Sequence, residues 1–87
     1  MVRCRVHGGS MRGFIESGQR VLLDPDLEPE VGRAVLCRCR GSQYVHLVKA
    51  VQGHGSRRRF LIGNNRGGTN GWVGRSAIYG VVAEVTD

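Results

Sequence analysis

The chain has 87 residues and a mass of 9.5 kDa, which is room for one domain with one core and excludes a multidomain enzyme. Thirteen Lys and Arg against seven Asp and Glu give a net charge of +6 and a pI near 10.3, a field that favours anionic partners without naming one. Only five aromatic residues are present and none is clustered with the arginines, so a base-stacking platform for nucleic acid is not expected.

In chain order, runs rich in Val, Leu, Ile and aromatics predict strands at 2–6, 20–23, 34–40, 44–51, 59–62 and 78–85. Glycines fall at or near the ends of these runs, among them Gly18, Gly32, Gly41, Gly53, Gly63 and Gly80, where turns need positive φ or close backbone approach. Residues 10–17 are the one segment suited to a helical turn, and 24–30 reads as an acidic, proline-bearing loop that cannot be a central strand. The spacing predicts an all-β domain over residues 1–87, a small, partly open barrel or sandwich. No apolar run approaches the roughly 18 residues of a membrane span, and Met1, Val2, Arg3, Cys4 and Arg5 do not open a signal peptide. The expected location is cytoplasmic or soluble, with any membrane association supplied by a partner.

Lys49 is the sole lysine among twelve arginines. A guanidinium stays protonated in proteins, whereas a desolvated amine can lose its proton and act as a base. Period-two alternation puts Val45, Leu47, Lys49 and Val51 on one strand face and His46, Val48 and Ala50 on the other, which surrounds Lys49 with aliphatic neighbours. Two readings fit that placement: a general base of lowered pKa, or an edge-strand lysine that blocks aggregation. Upstream, Val6-His7-Gly8-Gly9-Ser10-Met11 sets a serine among glycines, and a Ser/Lys pair needs no histidine or acid.

The remaining reactive side chains favour structural roles. Cys4, Cys37 and Cys39 make an odd count, against a disulfide framework and in keeping with a reducing compartment. Cys37-x-Cys39 with one distant cysteine lacks the second pair that a zinc site needs, so neither metal nor cofactor is expected. His7 beside the serine has no acid to orient it, and His46 reads as packing or solvent-facing. Trp72 and Phe60 are expected core anchors, Asn64 and Asn65 a turn, and Arg57-Arg58-Arg59 a solvated hairpin tip or a docking patch for phosphate or acidic groups.

The order of these segments resembles the Ser/Lys peptidases that include bacterial type I signal peptidases and the catalytic domains of self-cleaving repressors of the LexA type. Val6, Gly8, Ser10 and Met11 match the Val-x-Gly-x-Ser-Met nucleophile box. Gly18 to Asp24 and Gly32 to Leu36 match its two Gly-Asp strand openings, His46 to Val51 the lysine strand, Gly63-Asn64-Asn65 the Gly-Asp-Asn box, and Ile78 to Val82 the closing strand. The chain departs from the pattern at Gly13, where signal peptidases usually carry proline, and at Gln19, Arg33 and Asn64, which stand in acidic positions.

The resemblance implies Ser10 as nucleophile and Lys49 as base. Gly8, Gly9, Ser10 and Met11 would form the oxyanion and substrate-binding segment, and the substrate would lie extended as an added strand. With nine residues ahead of Ser10, the expected activity is endopeptidase processing of a precursor or leader peptide in trans rather than self-cleavage. The alternatives are an inactive peptidase-like module that binds an extended peptide or serves in an assembly, and a basic nucleic-acid-binding barrel. Oligomeric state is left open.

Overall fold

Patterning along β3 organises the molecule: Ala34 and Leu36 point into one apolar cluster, while Val35, Cys37 and Cys39 point into another. A strand buried on both faces reads as one continuous apolar run. The computed structural model describes residues 1–8, 11, 13 and 15–86. Its strands are β1 (Val2–Arg5), β2 (Arg20–Asp24), β3 (Ala34–Cys39), β4 (Ser42–Gln52), β5 (Arg59–Gly63), β6 (Thr69–Gly74) and β7 (Ile78–Thr86). They make a single antiparallel sheet in the order β1-β2-β7-β3-β4-β5-β6, curled into a half-barrel. Among the described residues the only helical elements are two 3₁₀ turns, and no helix is long and apolar enough to cross a membrane.

The larger cluster lies inside the curl of β3 to β6, with Phe60, Ile62, Val48, Val35 and Val81 fully or almost fully buried. β6 closes over β3: a side-chain carbon at Gly71 would sit 3.4 Å from Cys39 Sγ. The loop after β2 straps this cluster with buried Pro29 and partly buried Leu27, and Arg75 anchors it by donating to Pro25 O at 2.9 Å. The smaller cluster lies on the opposite face, where Val21 and Leu23 of β2 and Ala34 of β3 meet Val6, Met11 and Ile15 from the β1–β2 connection.

The six expected strands all form, with ends shifted by up to two residues. β6 was not expected, because two glycines and an asparagine dilute its apolar signal to Trp72 and Val73. Residues 10–17 contain one helix-like bond, Ile15 N–H to Met11 O at 2.7 Å, and no helix among those described. Trp72 is corrected from core anchor to an edge-strand residue 37% exposed: it pairs with Leu61 in register, on the face away from Phe60 and Ile62. Phe60 is the core anchor expected.

The β3–β4 hairpin turns through Arg40 and Gly41, with φ of +50° and +81°. Two positive φ values define the tight turn that suits strand twist, and they favour Asn-Gly over Arg-Gly.

Candidate functional site

Lys49 occupies an irregularity in the sheet. Val48 pairs with Ile62 and Ala50 with Leu61, so Lys49 is the extra residue of a β-bulge, a device that re-aims a side chain. The preceding Val48 is fixed on its other side, donating to Arg33 O and accepting from Gly32 N–H, both at 2.9 Å. From this clamped position the half-buried Lys49 donates through Nζ to Asn64 O at 2.9 Å.

The β5–β6 turn is shaped to present that carbonyl. Asn64 Oδ1 accepts from the backbone N–H groups of Arg66 (2.8 Å) and Gly68 (2.9 Å), while Asn64 N–H donates to Gly68 O at 2.9 Å. Gly63 is needed where the turn closes: a side-chain carbon there would collide with Gly68 O and lie 3.1 Å from Lys49 Cγ. The turn role expected of Asn64 therefore holds, and its backbone oxygen orients the lysine as well, which no side-chain pattern announces.

Ser10 and Gly9 lie outside the described residues, and so does the geometry between Ser10 and Lys49. The flanking chain is well tied. Val6 N–H donates to Gln19 O and Gly18 N–H to Val6 O, both at 2.8 Å, extending the β1–β2 ladder to the base of the connection. Met11, expected in the oxyanion and substrate segment, has its side chain 2% exposed in the smaller cluster. Gly8 is exposed with φ +94°, and its N–H donates to Ser17 Oγ at 3.3 Å.

Glu16 stitches the connection further, accepting from Gly13 N–H (2.9 Å) and donating its own N–H to Gln19 Oε1 (2.7 Å). Gln19, which stands in an acidic position of the resembled pattern, thus acts as a turn acceptor. A side-chain carbon added at Gly13, three residues beyond Ser10, would lie 4.0 Å from Asn65 Nδ2, so the connection passes near the lysine turn.

A cleft of about 270 Å³ runs beside the same connection, lined by Cys4 to Gly8, Met11, Leu36 and Gln43 to His46. Lys49 is not in its lining. His7 is exposed at the rim. His46 is 4% exposed and packed, as one of its two expected readings had it: the ring stacks on Tyr44 at 4.8 Å between centroids, and Nδ1 lies 2.6 Å from Asn70 Oδ1, a polar contact that was not expected. Asn70 was missed with the rest of β6.

Among the described residues no three His, Cys, Asp or Glu side chains gather to hold a metal ion. Cys37 and Cys39 are core residues, and burial, assisted by neighbouring Cys39, pushes the Cys37 thiol up to about 12. The Arg57 to Arg59 triplet divides into three environments. Arg57 is exposed in a 3₁₀ turn, Arg58 pairs with Glu28 and lies over the Phe60 ring at 5.4 Å, and Arg59 reaches Trp72 O at 3.4 Å. With its central arginine engaged within the fold, the triplet is not a uniform docking patch.

No family model, curated protein or solved structure matches the chain.

Proposed function

We propose that the chain is a serine endopeptidase that uses Ser10 as nucleophile and Lys49 as general base to process a precursor or leader peptide in trans. The observation that carries this reading is the placement of Lys49: a bulged strand, a clamped neighbour and the Asn64 carbonyl hold its amine at a turn that the connection bearing Ser10 passes near at Gly13. A neutral amine has two N–H groups and one lone pair. Donation to Asn64 O uses one N–H and leaves the lone pair for a proton.

In the proposed reaction Ser10 Oγ bonds to the scissile carbonyl carbon as its proton passes to Lys49 Nζ. The tetrahedral oxyanion collapses, the C–N bond breaks, and Lys49 returns the proton to the leaving nitrogen, giving an acyl-enzyme and a free amine. Water then attacks the ester carbon with Lys49 again taking a proton, and Ser10 leaves with it restored. Backbone N–H groups of the glycine-flanked box would serve the oxyanion. The same barrel could instead hold an extended peptide without cutting it, a reading favoured by the cleft and the unpaired edge of β1.

Mass spectrometry of a diverse peptide library at mildly alkaline pH, with wild type and Ser10→Ala, separates the two. Cleavage by the wild type alone is the expected result. Equal product patterns from both proteins, or none from either, would remove the peptidase.

A further inference from the structure

β1 is an edge of the sheet and pairs only with β2 among the described residues. Its hydrogen-bonding phase is set by Val6, whose N–H and C=O both bond on the β2 side, to Gln19 and Gly18 just ahead of that strand. Backbone groups alternate sides along a strand, so Cys4 and Val2 also face β2, while Arg3 and Arg5 present theirs to the open edge. Among the described residues the Arg5 carbonyl meets only the weak Cys4 thiol donor at 3.6 Å. The side chains are phased as well: Cys4 turns toward the smaller core, and Arg3 and Arg5 stand exposed on the other face.

The charge on that face is mainly positive: Arg3, Arg5 and Arg20 share it with one acid, Glu84 of β7, which pairs with Leu22. Arg5 lies directly opposite Arg20 of β2, and like charges in register across a strand pair are destabilising. Glu28–Arg58 is the one ion pair among the described residues, so none of their carboxylates pairs with Arg3, Arg5 or Arg20. No aromatic residue lies in β1 or β2 for a base to stack on. The cleft runs alongside, lined by Arg5, His7, Gln43 and Tyr44 with no acidic residue in its wall.

We infer that the open edge of β1 receives an extended acidic peptide, whose carboxylate side chains alternate two residues apart and stand opposite Arg3 and Arg5. A strand added there offers partners to the outward N–H and C=O groups of both arginines, displacing only the weak Cys4 thiol from the Arg5 carbonyl. It also puts every second side chain on their face, about 5 Å away between Cβ atoms, the spacing of a cross-strand ion pair. This rests on the peptidase reading for its biological sense, and it narrows the substrate to precursors with an acidic extended segment.

Binding tests it apart from cleavage. In the Ser10→Ala protein, fluorescence anisotropy is measured with a labelled nine-residue peptide alternating Val and Glu, with its Gln counterpart, and with a Glu peptide N-methylated at alternate backbone nitrogens. The Glu peptide is expected to bind about tenfold tighter than the Gln peptide at low salt, with the advantage shrinking as salt rises. N-methylation should abolish binding at unchanged charge, and Arg3→Gln with Arg5→Gln should erase the Glu preference. Slowed amide exchange at Arg3 and Arg5 on binding gives a readout that needs no variant.

Equal affinity for Glu and Gln peptides, or indifference to N-methylation, would overturn the inference. So would tighter binding of a thymidine oligonucleotide or of phosphatidylserine vesicles through the same two arginines. Tight acidic-peptide binding without library cleavage would leave the inference standing and remove only catalysis.

Discussion

The two halves of the sheet hold their residues by different means. The β3–β6 curl encloses its cluster with strands on several sides and a strap over the opening, and Lys49 sits in it on a clamped bulge. The β1–β2 side gathers its cluster under a long connection held by Val6, Met11, Ile15 and a chain of turn bonds, and β1 remains an open edge. The base of the proposed pair is therefore built into a strand, and the proposed nucleophile falls in the connection whose Met11 and Ile15 pack into the smaller cluster. The contrast suits a peptidase, since a substrate must enter beside the nucleophile while the base keeps its aim.

The strongest way to break this contrast is to empty each core in turn. Phe60→Ala should cost about 3–5 kcal/mol and lower the thermal midpoint of the whole domain. Ile15→Ala, removing an equally buried side chain, should cost about 2–5 kcal/mol. Its damage should appear first as faster amide exchange in β1, β2 and their connection, with β3 to β5 still protected. Simultaneous loss of protection in both halves would show that they are one cooperative unit.

A smaller effect is expected at the turn that joins them. Asn64→Ala removes the acceptor of two exposed backbone N–H groups and should cost about 0.5–1.5 kcal/mol, whereas Asn64→Asp keeps the acceptor and should stay near the wild-type midpoint. Chemical unfolding of the three proteins checks the order.

The cysteines separate the halves chemically. Native protein at pH 8 should be alkylated at Cys4, which lies partly exposed on the cleft, and not at Cys37, whose neutral thiol burial protects. Because the folded state holds the Cys37 proton more tightly than the unfolded chain, this contribution is complete below about pH 9. It is lost as pH rises from about 9 to about 12. Peptide mapping after alkylation and an alkaline stability series read both. The smallest change is a gain: Arg40→Asn at the positive-φ turn should raise stability by up to about 1 kcal/mol in thermal unfolding.

How legible each part was follows from how local its cause is. The strands with runs of branched residues stood out, β3 most of all because it is buried on both faces. β6 did not, since Thr69, Asn70 and Gly71 gain their strand form from pairing with β5. Lys49 was visible as an isolated lysine among aliphatics, but its bulge and its bond to the Asn64 carbonyl depend on β5 and on backbone atoms. The polar contact of His46 was hidden for the same reason: its partner Asn70 is 24 residues away on the strand that was not foreseen. The edge role of Arg3 and Arg5 became readable only once strand order left β1 without a second neighbour.

The central claim is that Lys49 acts by accepting a proton, and the most direct test compares cleavage rates of wild type, Lys49→Arg and Lys49→Ala on the best peptide from the library. A guanidinium keeps the positive charge and cannot take the proton, so the account predicts that both variants fall together to the uncatalysed background while remaining folded. Near-wild-type cleavage by Lys49→Arg would contradict it and leave Lys49 a fixed charge on the β5–β6 turn.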